Sequence, residues 1–444
     1  VQNLARSFSL TGAARSDYHR QGYRDLSIPP PTMRIIHTSD WHLGQHFMGQ
    51  SRQAEHSALI DWLLEQVAAQ AADAVLMAGD IFDTGAPPSY ARALYNRLVA
   101  RLHQAGVALL VLGGNHDSVA VLEESQGLLQ ALGTQVIAAT GAAEQHVRIL
   151  PLRDGTPGCI VCALPFIRPR DVLQSQAEQS AQDKQLALQQ AIQATYQQVY
   201  AAALQQQAAL QASLGRQLPI IATGHLTTVG ASSSESVREI YVGALEAFPT
   251  QAFPPVDYIA LGHIHQPQTV GGLAHIRYSG SPIALGFDEA RQTKQMLLVE
   301  LGAPGLQSVI ALPVPVFQPM MALRSSLAAL PAALEQATAL AQADKKVWLD
   351  ITIEEDDYLA DLPLRVQALA DGLPLQLLRV KRLRGRAAAQ WSGPAVEALD
   401  ALTPAQVFER RLALETMDAE LQQALTARYQ SVLQSLANPS GEPL

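Results

Sequence analysis

Five short motifs in this chain of 444 residues set carboxylates, imidazoles and one carboxamide where an apolar run gives way to a loop. They are Asp40 and His42 in SDWHLG, Asp80 in AGDIFD, Asn115 and His116 in GGNHD, His225 in TGHL, and His263 with His265 in LGHIH. Singly each is weak, because a lone histidine such as His103 or His146 is more often a surface or satisfied side chain than a ligand. Recurrence at successive strand ends changes the reading. Parallel strands bring their C-terminal ends together, so residues remote in sequence converge on one pocket. Carboxylate, imidazole and amide-oxygen donors without thiolate suit divalent ions such as manganese, iron or zinc. Asp40, His42, Asp80, Asn115, His225, His263 and His265 are too many ligands for one ion and about right for two. Asp80, between the two groups, is the natural bridge. Two ions roughly 3.5 to 4 Å apart clamp a phosphoryl centre and acidify a shared water for in-line attack.

The elements that must position these residues follow from periodicity. From Met33, short apolar runs alternate with amphipathic stretches, the pattern of layered α/β architecture. RIIHTSD, DAVLMAGDIFD and VALLVLGGNHD read as strands ending in loops, and Gly113 and Gly114 are expected to let the chain turn before Asn115. HSALIDWLLEQVAAQ has helical spacing, and SYARALYNRLVARLHQAG reads as a helix closed by Gly106. Residues 177–214, rich in Gln and Ala, fit one long scaffold helix or two joined ones. LPIIATGHL and VDYIALGHIHQ are further strand-to-loop units. HIRYSGSP, QMLLVEL and LQSVIALPV read as strands of a second sheet, with Pro313, Pro315 and Pro319 marking a boundary.

Beyond about residue 320 the order is helix, strand, helix, strand, a small α+β domain over 319–386. A linker and tail occupy 387–444, with Thr403 as N-cap and Pro404 at the first helical position. The tail's apolar stripe has little core of its own to join and needs a partner. Residues 1–32 show no sustained periodicity before Pro29, Pro30 and Pro31. Met33 is the expected initiator, and the preceding segment reads as a disordered or mis-assigned extension or a targeting peptide.

Composition narrows the class. With 48% hydrophobic residues the chain can bury a real core. No run of 18 apolar residues exists, so a membrane span is not expected and a cytoplasmic protein is. The cysteines, Cys159 and Cys162, lie three apart in a strand, on opposite faces, which argues for buried filler rather than a disulfide. The net charge of −9 argues against general polyanion binding. Basic residues nevertheless cluster in RPR (168–170) and RVKRLRGR (379–386), the second being either a solvated strand face or a phosphate contact.

The ordered set D-x-H, G-D-x-x-D, G-N-H-D, G-H and G-H-x-H resembles that of the calcineurin-like metallophosphoesterases. More narrowly, MRIIHTSDWHLGQ, GGNHDSVAVLEES, ATGHLTTVGASSSESVREIYVG and DYIALGHIHQPQ with RYSGSPI are similar to the SbcD nuclease subunits of bacterial SbcCD complexes. From Met33 onward this resemblance implies a four-layer β-sandwich flanked by helices, a nuclease domain over 33–318, an α+β capping domain and a C-terminal helical tail. It implies two ions, most naturally manganese. Asp40, His42, Asp80 and His265 would hold one, and Asp80, Asn115, His225 and His263 the other. His116 matches the family's catalytic histidine, protonating or stabilising the leaving oxygen. Asp117 would orient His116 or its loop. Asp83 stands where related archaeal and eukaryotic nucleases carry a second active-site histidine, and reads as a loop or helix-capping residue.

The resemblance also implies an SMC-type ATPase partner of the SbcC kind, bound through 403–437, and a homodimer within a heterotetramer. DNA would be the substrate, as double-stranded ends, hairpins and single strands, with ATP-dependent 3′-5′ exonuclease and single-strand endonuclease activity in repair, recombination and replication. The chain has no Gly-Lys dipeptide and so no phosphate-binding Walker A loop. The capping domain, contacting DNA by resemblance, favours the phosphate reading of RVKRLRGR. Competing readings are a phosphomonoesterase or protein phosphatase, a cyclic-nucleotide diesterase and a silent scaffold. Thr84, where phosphoprotein phosphatases carry Arg, argues against the first; the capping domain and tail argue against the second. Against the third stands the desolvation cost of unused buried ligands.

Overall fold

The computed structural model describes residues 31–173, 181–234, 237, 247–342, 345–354, 361–383, 408, 412 and 419–437. The first sheet runs parallel through β1 (Met33–Thr38), β4 (Ala74–Ala78), β5 (Ala108–Leu112) and β6 (Thr134–Ile137). The antiparallel strands β13 (Gln295–Gly302) and β14 (Gly305–Pro313) extend it beyond β1. A hairpin, β2 (His46–Phe47) and β3 (Gln50–Ser51), follows the β1 loop. The second sheet has the order β11-β12-β10-β9-β8-β7, with β7 (Val147–Pro151), β8 (Pro157–Cys162), β9 (Ile220–His225), β10 (Tyr258–Gly262), β11 (Gln268–Val270) and β12 (Leu273–Tyr278).

Strand residues alternate between two cores, which is why these strands read as nearly unbroken apolar runs. Ile36, Val75, Met77, Leu109 and Val111 face an outer core under α1 (Gln53–Ala69) and α2 (Ser89–Gln104). Ile35, Leu76 and Leu110 face inward, against Val161, Ile221 and Ala260 of the second sheet. That sheet's far face is covered by α6 (Ala181–Leu214), one continuous helix whose stripe Leu188, Ile192, Tyr196, Val199 and Ala203 is fully buried. Burying each of the larger members contributes about 1.5–3 kcal/mol. The long Gln/Ala segment is therefore a scaffold helix closing the fourth layer. Cys159 lies in the inter-sheet core and Cys162 under α6, both free, on the opposite faces that a three-residue step dictates.

Short helices α3 (Val119–Glu123) and α4 (Gln126–Ala131) lead from the β5 loop to β6, and α5 (Pro169–Val172) precedes α6. A three-stranded parallel sheet follows: β15 (Met320–Ser325), β16 (Val347–Ile353) and β17 (Leu375–Arg382), with α7 (Leu330–Thr338) and α8 (Leu362–Ala370) buried against one face. Its other face meets the sandwich. Phe47 packs on Phe287 with centroids 5.3 Å apart and on Trp348 at 6.0 Å, and the buried Arg52 guanidinium lies 5.5 Å from the Phe47 ring centroid. Residues to Leu383 form one compact unit. The second unit contains α9 (Ala419–Ala437), where Tyr429 stacks on Phe408 at 4.0 Å. Among the described residues no helix is long and apolar enough to cross a membrane.

Two expectations change. QMLLVEL and LQSVIALPV do not join the second sheet; they are β13 and β14, and β13 pairs with β1 from Met33↔Leu301 to His37↔Leu297. Their alternation shows two buried faces without saying whose, and only the pairing decides. MMALRS, left outside the expected helix-strand-helix-strand order, forms β15, a strand too short and too interrupted by Arg324 for its period to stand out. Residues 1–30, Thr403 and Pro404 lie outside the described residues.

Candidate metal centre

Each predicted residue follows the C-terminal end of its strand: Asp40 and His42 after β1, Asp80 after β4, Asn115 and His116 after β5, with His225 ending β9 and His263 and His265 following β10. The ends come from two facing sheets, not from one open sheet. Asp40 N donates to Gly79 O at 3.0 Å, and Trp41 N to Asp80 O at 2.9 Å, locking the β1 and β4 loops together. The Asp40 carboxylate accepts His263 N at 3.0 and 3.1 Å, tying the two sheets at the site. Of six described non-glycine residues with left-handed φ, four are Asp40, His42, Asp80 and His263. Such backbone costs about 1–3 kcal/mol per residue and persists where its surroundings over-determine it.

Neither Gly113 nor Gly114 adopts the left-handed region. They give clearance. A Cβ on Gly114 would overlap the Asp80 carboxylate, and one on Gly113 would come within 2.5 Å of the Ala138 carbonyl oxygen. The backbone N–H of His116 then reaches Asp80 Oδ1 at 2.9 Å.

Three histidines are oriented by acceptors behind them. His225 Nδ1 lies 2.9 Å from the Ala78 carbonyl, His265 Nδ1 2.9 Å from Glu289 Oε1 and His42 Nδ1 3.1 Å from Asp83 Oδ1. A carbonyl or carboxylate oxygen only accepts, so each Nδ1 carries hydrogen, and in the neutral ring Nε2 keeps its lone pair. In the neutral ring, His225 Nε2 presents its lone pair to Asn115 Oδ1 at 2.9 Å and Asp80 Oδ2 at 3.3 Å, so three electron-pair donors converge there. The buried His42 Nε2 has no hydrogen-bond partner and lies 3.7 Å from Asp80 Oδ2. Both arrangements favour positive charge, as a proton on Nε2 or as a metal ion in its place.

Donor atoms of Asp40, His42 and His265 lie within 4.8 Å of one another, as do those of Asp80, His225 and His263. These are two adjacent oxygen-and-nitrogen cradles, and their donor sets fit divalent metal ions. The fields agree. Burial alone would lower the His225 pKa, but Asp80 outweighs it and raises it to about 9. Burial works against the Asp80 carboxylate too, yet His225 holds it far below the usual range. Burial, reinforced by His225, takes His263 down to about 3.

His116 donates from Nδ1 to the Asp83 carbonyl at 2.7 Å, and its ring stands edge-on to His42 with centroids 4.7 Å apart. His42, Asp83 and His116 form a third group within 4.8 Å. Asp83 is thus neither a plain loop residue nor a helix cap: its carboxylate orients His42 and its carbonyl orients His116. Asp117 accepts Gly114 N at 2.8 Å, Phe82 N at 2.9 Å and Ile81 N at 3.1 Å, pinning the β4 loop to the β5 loop. Burial and Asp80 push its carboxyl up to about 6 against those N–H groups. Arg168 of RPR donates to the Asp117 carbonyl at 3.2 Å from behind the loop. His146 is a satisfied core side chain, bonded through Nδ1 to the Ala163 carbonyl and through Nε2 to Gly141 N, and His103 is exposed.

Sequence reasoning missed Glu289 and Lys294. Glu289 is fully buried, and beyond His265 it accepts Lys294 Nζ at 2.7 Å and Leu285 N at 3.0 Å. Lys294 also reaches the His265 carbonyl at 3.0 Å. The one available signal was that Lys294 is one of only five lysines, beside an acidic pair in FDEARQTK.

A cleft of about 530 Å³ opens over this centre, lined by His42, Asp83, His116 and His265 and, from the three-stranded sheet, by Asp350, Arg379 and Lys381.

The family model for calcineurin-like phosphoesterases matches residues 33–267, and a second, the type 5 capsule protein repressor C-terminal domain, matches 316–416. The chain is 51% identical over 405 residues to the SbcD subunit of the SbcCD nuclease from Escherichia coli K12, covering 91% of this chain and 99% of that one. Identity to the same nuclease's SbcD chain in Rhodobacter capsulatus is 33% over 393 residues, 85% of this chain and 93% of the other. In Bacillus subtilis it is 30% over 272 residues, 60% and 66% respectively. Motif order, convergent ligand geometry and near full-length similarity together make the chain a metal-dependent phosphodiesterase of the SbcD family of calcineurin-like phosphoesterases.

Proposed function

We propose that the chain is the DNA-cleaving subunit of an SbcCD-type complex, hydrolysing DNA phosphodiesters with two divalent ions, manganese in this reading. The observation that carries it is the floor of the cleft: two adjacent donor clusters beside His116, under a wall that carries Arg379 and Lys381. Asp40, His42, Asp80 and His265 would hold one ion, and Asp80, Asn115, His225 and His263 the other. When bound, the ions supply Lewis acidity at the phosphoryl oxygens and a nucleophile at neutral pH.

The chain's own residues do the rest. The Ala78 carbonyl, Asp83 and Glu289 aim the Nε2 atoms of His225, His42 and His265 into the site. The Asp83 carbonyl fixes His116 with Nδ1–H turned away from the cleft, so that the protonated ring offers its Nε2 proton to the departing oxygen. Residues 33–318 would form the nuclease domain, 319–386 the capping domain and 387–444 the linker and tail that grip an SMC-type ATPase. The activities would be ATP-dependent 3′-5′ exonuclease on duplex ends and endonuclease on single strands and hairpins, serving repair, recombination and replication. The protein would work in the cytoplasm, at the nucleoid when on DNA, as a homodimer within a heterotetramer.

The test is full-length protein with manganese, with and without the ATPase, on a hairpin duplex, a single-stranded oligonucleotide and para-nitrophenyl phosphate. Cleavage of both DNAs is expected, with ATP stimulating only in the ATPase's presence. Turnover of the monoester alone would assign the site to a phosphatase.

A further inference from the structure

One buried cation joins the metal centre to the three-stranded sheet. Arg52 immediately precedes α1, and its side chain has no exposed surface. Its Nε donates to Glu55 Oε2 at 2.8 Å, with Nη2 2.7 Å from the same oxygen. Nη1 donates to Gln45 Oε1 at 2.8 Å and to the Ala284 carbonyl at 2.7 Å. Gln45 completes the brace by donating from Nε2 to the Leu285 carbonyl at 3.4 Å. A buried ion pair often adds no stability over well-packed apolar residues of similar volume. What a guanidinium adds is direction, because its N–H groups form a rigid planar fork.

The loop held in this way is the one that turns a metal-centre histidine. Leu285 N donates to Glu289 Oε2 at 3.0 Å, and Glu289 Oε1 lies 2.9 Å from His265 Nδ1. The route from Arg52 to the His265 ring thus runs through Ala284, Leu285 and Glu289. The guanidinium also meets the sheet, lying 5.5 Å from the Phe47 ring centroid and 6.0 Å from that of Trp348 on β16, and those two rings stack at 19°. Each strand of the sheet gives this patch one residue, Met320, Trp348 and Leu378, packed with Phe287 of the loop. Attraction between a cation and an aromatic face strengthens away from water, so the setting of the fork depends on where the sheet sits.

We propose that Arg52 is a positioning residue for His265, and that through it the cradle of Asp40, His42 and His265 is linked to the seating of the three-stranded sheet. Such a link is reciprocal: a displaced sheet loosens the cradle, and a bound divalent ion tightens the sheet. The inference rests on the metal reading of the site and gives the sheet a part in it that needs no contact with substrate.

Trp348→Ala is the sharpest variant, because it leaves every hydrogen bond of Arg52 in place and alters only the sheet. Arg52→Lys keeps a cation beside Glu55 and loses the fork. In full-length protein each should weaken manganese affinity in calorimetry about tenfold, the low end for loss of a partner behind a ligand, with kcat at saturating manganese largely retained. Both act on one route, so the double variant should bind manganese no more weakly than the worse single one. Trp348→Phe, which keeps an aromatic face, should restore the affinity. Manganese should slow amide hydrogen exchange in β15, β16 and β17 of the unmodified protein, and in both variants that effect should vanish while persisting in β4 and β10. Unchanged affinity in both single variants, additive losses in the double one, or sheet exchange indifferent to manganese in the unmodified protein would each overturn the link. If the unmodified protein binds no manganese, the metal reading itself fails, a result distinct from the others.

Discussion

At the scale of single residues, the centre separates what a side chain binds from what turns it. His116 is held at its backbone N–H by Asp80 and at Nδ1 by the Asp83 carbonyl, which makes Nε2 the atom for chemistry. His116→Asn should therefore keep manganese binding by calorimetry while phosphodiester cleavage falls about 10²- to 10⁴-fold. Parallel loss of both would make His116 a ligand, as its grouping with His42 and Asp83 also allows. Glu289 acts through His265, and Glu289→Gln removes the charge that fixes Nδ1–H and balances Lys294. Manganese affinity should weaken about 10- to 100-fold, with kcat at saturating metal largely retained. The seven candidate donor positions stood out because each follows an apolar run and most sit in a glycine-flanked motif. Glu289 was not, since a carboxylate 24 residues beyond His265 meets its partner only after β11, β12 and the loop at Gly286 have folded.

At the scale of elements, alternation and caps told which segments would be strands and helices, but not which sheet each strand would join or where a ladder slips. β13 and β14 were read into the wrong sheet, and the bulge at Leu378 was invisible because LQLLRVKR alternates poorly in any register. That bulge brings a buried carboxylate opposite two cations, which has a consequence in acid. Burial raises the Asp350 pKa, but Arg379 and Lys381 outweigh it and hold it below the ordinary carboxylate range. A carboxyl depressed in the folded state contributes stability above its unfolded pKa and loses it as pH falls through the folded one. At pH 7, Asp350→Asn should cost about 1–2 kcal/mol, the lower part of the range for hydrogen bonds to a charged group because both cationic partners are nearly half exposed to screening solvent. In thermal unfolding the gap between variant and unmodified protein should close as pH falls through and below the carboxylate range. A gap that stays constant into acid would mean that the Asp350 charge does not contribute.

At the scale of the molecule, the sandwich and its three-stranded sheet make one compact unit with its own cores, and the C-terminal segment makes another. In α9 the residues from Leu421 to Gln430 are mostly exposed, with Leu421 49% and Leu425 39% accessible one helical turn apart, and Tyr429 is half-buried against Phe408. An apolar stripe of this kind fits the proposed grip on another helix. Under the proposed function ATP acts through a bound ATPase, in keeping with the lack of a Gly-Lys phosphate-binding loop in the sequence. Deleting residues 403–444 should remove that coupling and leave the catalytic unit whole. The truncated protein should retain manganese-dependent cleavage of single-stranded DNA within about twofold, because the ligands, His116 and the cleft all precede Leu383. Binding to the ATPase should be lost in co-sedimentation, and with it ATP stimulation on duplex ends. Stimulation that survives the deletion would put the coupling surface on the sandwich or the three-stranded sheet instead, and loss of the single-strand activity would show that the tail supports the catalytic unit itself.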